Sequence, residues 1–576
     1  MKKVINWDSE EQQPKKTRKT TAKQAPSATP ASDKTGFIQG YFMPIGWDSE
    51  ERVLQYYFYV SSCKSIIKLA AAKMSKQNLL MLAPLEFWVE RFAAGGSFDA
   101  LAAADFLISL SNAIGFFSVD KVRGRGAWMD KGRVVIHAGT QLIIEGQRVP
   151  LGTNTEFIYE MRSPVKMHIE TPMESKESSR LTKMLQLLNF GTAADSRLLS
   201  GWIAIAPVCG VLNWRPHIWL TGTKDSGKSW LLENVINKML GSLGVNFQGN
   251  TTEMGIVQRL NNDAFAVTFD EAEGNDERSA NRMQGVLSVC RSASSKDGAA
   301  QTKGSKDGKA KEYTVKSCFL LSSINPQIAL DSDKRRFCVL EIAKLKDNEA
   351  FRKIESGRAE MLTPDYAGRF QARMISILPV MMRSIETFVS AITAITGVKS
   401  TGDQIGTLLG GWWHTLNDEE VSYETALAES EAILKAIGQA ESAKDSTDEE
   451  RCLQLILSSE QRIESLDFIG VRTLGELVEI ASSRPCVTNG IKSDEANDKL
   501  KRLGLQVAVQ DGIEYLFILN GAKFVKELLQ KSGAAWAVSY NIVLSRMKGA
   551  IKSGVKRYSA GVSGRGVAIP INEIFL

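Results

Sequence analysis

The sequence is poor in the residues that build metal centres and disulfide frameworks. Its four histidines (His137, His168, His217 and His414) are scattered, and its seven cysteines include no C-x-x-C spacing. A metal centre needs clustered ligands, so each histidine reads as structural. An odd number of cysteines without paired spacing excludes a zinc ribbon or a regular disulfide framework and suits a reducing compartment. Long apolar runs are also lacking. The longest candidate, GWIAIAPVCGVLNW, stops at Arg215, short of the roughly 18 residues that span a bilayer. The first residues have no apolar core of the kind a secretion signal needs. The expectation is a chain without membrane contact, working in the cytoplasm.

What is present is length and unevenly placed charge. A chain of 576 residues is too long for one core and implies three or four domains. The net charge of +6 hides basic ends. Residues 1–35 carry eight Lys/Arg against four Asp/Glu, and residues 531–576 carry seven Lys/Arg against Glu573 alone. Basic ends on a mildly acidic body point to local contact with a polyanion, or to plain solvated charge at the tail.

Residues 1–35 have almost nothing to bury and read as a disordered basic tail. Residues 36–164 alternate strand and helix patterns: YYFYV as a strand, APLEFWVERFAAGG and DALAAADFLISLSNAIGFF as helices, GRVVIHAGTQLIIEG as paired strands. They read as an α+β N-terminal module. Residues 165–397 hold a nucleotide site, described next, and 398–445 read as a helical linker fading into GQAESAKDSTDEE. Residues 446–576 open with a capping box at Ser446 and Glu449 and contain a hairpin turning at Asp511-Gly512. Helical patterns then lead to VKRYSAGVSGRGVAIPI, strand–glycine turn–strand. Helices followed by a basic two-stranded hairpin suggest a winged-helix-like domain, with Lys548, Lys552, Lys556, Arg557 and Arg565 as candidate DNA contacts. The fold class expected is multidomain α/β around a central P-loop ATPase.

The chemistry concentrates in HIWLTGTKDSGKS. The pattern G-x-x-x-x-G-K-S covers Gly222, Thr223, Lys224, Asp225, Ser226, Gly227, Lys228 and Ser229, between an apolar strand and a helix-forming run. Backbone N–H groups of such a loop cradle phosphates, the lysine reaches the β- and γ-phosphates, and the hydroxyl of Ser229 ligates Mg²⁺. ATP and Mg²⁺ are the cofactors expected. Forty-two residues after Lys228, the apolar run DAFAVTF ends in Asp270 and Glu271. Asp270 suits Mg²⁺ binding through water, and Glu271 suits polarising the attacking water. KSCFLLSSIN ends in Asn325, which could bond the water or the γ-phosphate, or be an ordinary turn residue before Pro326. Arg335 and Arg336 precede a further apolar strand. One of them could act as an arginine finger on a neighbouring subunit, or both could form a solvated basic turn.

Together these residues resemble the superfamily 3 helicases of the AAA+ class, and more closely the helicase part of primase–helicase proteins of phages and mobile elements. The resemblance rests on RGRGAWMDKGRVVIHAG, GWIAIAPVCGVLNWRPHIWLTGTKDSGKS, GNTTEMGIVQRL, FDEAE, SSINPQIALDSDKRRF and DQIGTLLGGWW, across residues 36–576. It implies a ring-shaped, usually hexameric, ATP-driven DNA helicase acting on single-stranded or forked DNA in a bacterial host's cytoplasm. It implies a sensor role for Asn325, a finger among Arg335 and Arg336, and a sensor arginine at Arg369 or Arg373. No acidic metal-binding priming domain or zinc module is present, so a separate primase is the expected partner. An initiator that binds duplex DNA, or a protein-remodelling ATPase, is the competing reading.

The same resemblance gives meaning to a lysine- and glycine-rich stretch, Ser295–Tyr313, between the acidic pair and the strand ending at Asn325. It implies a hairpin gripping the phosphates of a strand in the ring's pore. Thr302-Lys303 and Ala310 to Val315 would be its arms, with Lys303, Lys306 and Lys309 at or beside the tip.

Overall fold

A computed structural model of the chain describes residues 36–50, 53–273, 277–295, 301–304, 310–326, 328, 330–345, 347–441, 448–464, 469–482, 490–532, 537–559 and 561–575. The tail expected over 1–35 and the capping residue Ser446 lie outside them. The chain forms two compact units that divide between Ser118 and Val119.

In the first unit, strands β1 (Phe42–Glu50), β2 (Val53–Val60) and β3 (Ser65–Ala70) form an antiparallel meander. Its buried aromatic residues, Phe42 and Phe58, meet Phe87 and Trp88 of helix α1 (Leu85–Phe92) and Leu107 of α2 (Ala100–Ile114). The Asp99 carboxylate caps α2 by accepting the N–H groups of Leu101 and Ala102.

The second unit begins with an antiparallel sheet of β4 (Gly126–Asp130), β5 (Arg133–His137), β6 (Gln141–Ile144) and β7 (Gln147–Pro150). Helices α3 (Ser175–Leu185) and α4 (Asp195–Ile205) lead into a five-stranded parallel sheet. Its strands are β8 (His217–Thr221), β9 (Gly244–Gln248), β10 (Ala266–Asp270), β13 (Phe319–Ser323) and β14 (Phe337–Glu341). Their order is β9-β10-β13-β8-β14. Between β10 and β13 lie helix α7 (Glu277–Ser294) and an antiparallel pair, β11 (Gln301–Gly304) and β12 (Ala310–Tyr313). Helix α5 follows β8: Lys228–Leu231, a π-helical turn Leu232–Ile236 and Asn237–Leu240 run on without a break. Helix α6 (Glu253–Leu260) sits between β9 and β10.

The structure therefore divides the chain differently from the sequence patterns. Strands β4–β7, expected in one module with β1–β3 that ends at 164, share a hydrophobic core with the parallel sheet, whereas β1–β3 build a core of their own. The reason is the RGRG segment. Arg125 pairs with Asp263, which is 1% exposed, at 2.6 Å. A Cβ on Gly124 or Gly126 would lie 2.4 Å from Asn262 O or 2.5 Å from Ala264 O. Residues 398–445, expected as a linker, also supply Leu408, Leu409, Trp412 and Ile433 to that core. There Gly201 lets α4 meet the helix Thr407–Trp413, since its Cβ would lie 1.9 Å from Leu408 O. The 19-residue helix Leu378–Thr396 is long and apolar enough to cross a bilayer. Its Met381, Phe388 and Ile392 are instead buried in this core.

A second core builds the C-terminal region. After α8 (Asp331–Lys334), α9 (Tyr366–Ser376) and α10 (Leu378–Thr396), it contains α11 (Asp448–Leu457), the pair β15 (Glu460–Glu464) and β16 (Ile469–Thr473), α12 (Leu474–Ala481) and α13 (Ser493–Arg502). The hairpin β17 (Leu505–Gln510) and β18 (Ile513–Leu519) follows, turning at Asp511-Gly512 with positive φ at both. The helix–helix–hairpin order of a winged helix thus falls on 474–519. The expected wing, 556–570, splits into β20 (Lys556–Ser559) and β21 (Val562–Gly564), which pair with each other, and β22 (Gly566–Pro570). Strand β22 lies between β18 and β19 (Ile551–Lys552). The SGRG segment is not a turn. A Cβ on Gly566 would come 2.1 Å from Ile518 O, so this glycine serves close strand approach.

Buried groups of the second unit, His217, His414 and Asp195 among them, make its stability depend on pH. Burial lowers His217 from 6.5 to about 3 and His414 to about 4, and raises Asp195 from 3.8 to about 6. Below pH 6.5 the unfolded chain binds protons that both folded histidines refuse, so stability falls on acidification. Asp195 acts oppositely between pH 6 and 3.8, because its folded carboxyl protonates first. The urea midpoint should therefore drop from pH 7 to pH 5, and Asp195→Asn should steepen the drop by about 1.4 kcal/mol per pH unit below pH 6.

Candidate functional site

The site is organised around the C-terminal end of β8. This strand is paired in parallel with β13 on one edge and β14 on the other. At its start, the buried ring of His217 accepts the Phe319 N–H at Nδ1 (3.1 Å) and donates from Nε2 to Cys290 O (2.8 Å). That fixes the tautomer and ties β8 to β13 and α7.

At the other end the chain enters the Gly222–Ser229 loop. Gly222 has φ +154, and a Cβ there would lie 2.1 Å from Ile342 O. Asp225 and Gly227 also have positive φ, so the loop turns tightly before α5. The first-turn N–H groups of that helix have no carbonyl partners within it and are directed at the loop's concavity. Lys228 Nζ donates to Gly222 O (2.6 Å) and Thr223 O (2.9 Å), and Ser229 is exposed at the helix start. Burial lowers the Lys228 pKa, while the charges of Asp270, Glu273 and Asp225 oppose the fall.

Strand β13 lies between β8 and β10, so Asp270 ends a strand one removed from the loop. The tips are joined by hydrogen bonds. Trp219 Nε1 donates to Ser323 Oγ (2.8 Å), Ser323 Oγ donates to Asn325 O (2.9 Å), and Thr221 Oγ1 donates to Ile324 O (2.7 Å). Asn325 is exposed at this tip. Glu271 is also exposed, with φ +56. Glu273, which the sequence reading passed over, accepts the Ile324 N–H at 3.2 Å. The FDEAE spacing alone gave no signal for it, because the carboxylate reaches the site only through a left-handed turn.

The two arginines differ. Arg335 is exposed, whereas Arg336 is half-buried, donates to Ser332 O (2.6 Å) and lies over the Trp214 ring. Arg369 and Arg373, expected as sensor candidates, are engaged elsewhere. Arg369 makes two hydrogen bonds to Glu177, and Arg373 pairs with Asp418 while donating to His414 O and Asn417 O. Both hold helices together.

Lys303 lies on β11 opposite Lys311, while Lys306 and Lys309 fall outside the described residues. In the C-terminal region, Lys556 Nζ sits 4.5 Å from the Phe517 ring centre, Arg557 and Arg565 are exposed, and Lys548 pairs with Glu573. Helix α13 carries both signs of charge: Asp494, Glu495 and Asp498 are exposed, Arg502 is exposed in its last turn, and Lys501 pairs with Asp498 at 2.9 Å.

The loop and strand tips could hold a magnesium nucleotide: Gly222 where a Cβ would collide, Gly227 with left-handed backbone, a lysine in the loop, a hydroxyl at the helix start and a carboxylate one strand away. No family model matches the chain, and no curated protein matches it. Among solved structures, the A-form apo structure of the NrS-1 C-terminal region aligns at 13% identity with a TM-score of 0.29, covering 92% of this chain and 96% of that one. A second apo structure of that region, residues 305–718, gives 12% identity and a TM-score of 0.26, covering 76% and 96%. The JCV helicase gives 12% identity and 0.23, covering 49% and 64%. Likeness this loose leaves the reading to the site itself.

The turn bearing Arg335 and Arg336 depends on α7. Arg291 Nη1 contacts both carboxylate oxygens of fully buried Asp333, at 2.8 and 2.9 Å. Arg291→Ala should cost about 3 kcal/mol in urea unfolding, because it strands a buried charge. Arg291→Ala combined with Asp333→Ala should recover part of that loss.

Proposed function

We propose that the chain is an ATP-hydrolysing DNA helicase of the AAA+ class, superfamily 3 type, acting as a ring of six subunits. The observation that carries the ATPase reading is the Gly222–Ser229 loop on β8, whose Lys228 ammonium lies in the field of Asp270 across one intervening strand. ATP is the substrate this arrangement fits. The loop amides and Lys228 would hold its phosphates, and Ser229 and Asp270 would hold Mg²⁺. When bound, Mg²⁺ neutralises charge developing on the phosphates.

The helicase reading adds two supports. One is the resemblance carried by the motifs, and the other is the β11–β12 pair between the acidic strand and β13. Inserted there and bearing Lys303, it suits a strand-gripping element that reads phosphates and is indifferent to base sequence. The basic strands of the C-terminal region, with Lys556, Arg557 and Arg565, would add salt-sensitive DNA contact. A separate primase would supply primers, in the cytoplasm of a bacterial host.

Two experiments test these readings. Lys228→Ala should lower ATP hydrolysis at least 100-fold while thermal unfolding stays close to the wild type, because the half-exposed ammonium bonds within its own loop and not to the core. Strand displacement on forked DNA, with ATP and Mg²⁺, should be present in the wild type and absent in Lys228→Ala. ATP hydrolysis without displacement would favour the initiator or protein-remodelling reading.

The finger reading favours Arg335, which is exposed, over Arg336, whose guanidinium is engaged. A finger in trans contributes on the order of 10³–10⁵ in rate. Arg335→Ala should therefore abolish turnover alone and regain part of it when mixed with Lys228→Ala subunits. Mixed rings that stay inactive at every ratio would place Arg335 outside the neighbour's site.

A further inference from the structure

We propose that Glu273, rather than Glu271, is the carboxylate that orients and deprotonates the attacking water. The proposal rests on the reading of Gly222–Ser229 as an ATP site and concerns which of two nearby acids serves it. Strand order decides the matter. The loop follows β8, so the reacting phosphate would lie on the β13 side of β10, and β9 is on the opposite side.

Glu271 sits on the wrong side. Its left-handed backbone packs against Gly249, just past β9: a Cβ on that glycine would lie 2.7 Å from Glu271 O and 3.3 Å from Glu271 Cβ. The side chain is exposed there.

The same left-handed residue turns the chain back towards β13. The Glu273 N–H donates to Glu271 O at 2.7 Å, closing a tight turn, and the Ala272 N–H donates to Ser322 O at 2.8 Å. Glu273 Oε1 then accepts the Ile324 N–H, and the Ile324 carbonyl accepts from Thr221 Oγ1, the residue immediately before Gly222. The carboxylate is thus linked to the loop's first turn through one residue of the β13 tip. The charge of Glu273, with those of Asp270 and Asp225, opposes the effect of burial on the Lys228 ammonium.

In the step proposed, the water oxygen bonds to the γ-phosphorus as the bond to the bridging oxygen breaks. The bond's electron pair leaves with ADP. The water proton passes to the Glu273 carboxylate and from there to the phosphate product.

The test compares full-length wild type with Glu273→Gln, Glu271→Gln and Lys228→Ala, measuring steady-state ATP hydrolysis and equilibrium binding of a fluorescent ATP analogue. A general base contributes typically about 10²–10⁴ in rate. Glu273→Gln should lose at least about 100-fold in kcat while its nucleotide affinity stays within about threefold of wild type, which also shows that it folds. Glu271→Gln should lose less than about tenfold. A loss in Glu271→Gln equal to or greater than that in Glu273→Gln overturns the proposal, and so does a Glu273→Gln loss below about tenfold. If Glu273→Gln fails to bind nucleotide, Glu273→Asp replaces it under the same criteria. A wild type that neither binds nor hydrolyses ATP instead overturns the ATP-site reading itself.

Discussion

Strand β8 is the constraint from which the rest of the site is measured. It is hydrogen-bonded on both edges, its side chains from Ile218 to Leu220 are fully buried, and neither end can shift without breaking a ladder. At its start, one buried imidazole serves two neighbours: Phe319 N–H on β13 and Cys290 O on α7. A neutral ring is the only form that can accept at one nitrogen while donating at the other. The burial that keeps His217 uncharged therefore also holds the two strands and the helix in register. At its far end, Gly222 passes so close to Ile342 O that no side chain fits, and the loop is set against the neighbouring edge of the sheet.

Much of this was legible in the sequence because it is local. The glycine–lysine–serine spacing, the apolar run into Asp270 and the strand expected to end at Asn325, which stops at Ser323, each occupy a few consecutive residues. What was not legible depends on pairings across the chain. Arg125 meets Asp263, 138 positions away, and draws the β4–β7 sheet into the nucleotide domain's core. Gly201 meets Leu408, which brings in a segment that composition alone marks as a linker. Arg369 and Arg373 occupy helix positions suited to a sensor, yet Glu177 and Asp418 engage them. Spacing cannot show that a partner is already in place.

Glycine carries a similar ambiguity. In the C-terminal region SGRG reads as a turn, because left-handed backbone is the commonest demand for glycine. Gly566 meets the other demand, close approach of two strands, and the chain runs through it from β21 into β22. The hairpin at Asp511-Gly512 was read correctly because an aspartate–glycine pair between alternating apolar runs leaves little else to do. Moving the helix–helix–hairpin order to 474–519 changes the chemistry on offer. Helix α13 mixes carboxylates with cations, and Lys501 is already paired with Asp498, whereas Lys556 and Arg557 lie on a strand that follows with no acid beside them in sequence.

The same reasoning explains why α7 matters beyond its length. It starts four residues after Glu273 and runs about 27 Å, at 1.5 Å per residue, to Ser294. Its second half is held at several separate points. Cys290 O accepts from His217 of β8, Arg291 grips Asp333 beside the two arginines, and Ser294 O accepts the Arg215 N–H (2.7 Å) ahead of β8. Asp333 and His217 are fully buried, so none of these bonds can be exchanged for water without a desolvation cost. A helix pinned this way cannot bend locally to absorb a shift. Through these bonds the arginine turn, the start of β8 and the second half of α7 hold one fixed relation to each other.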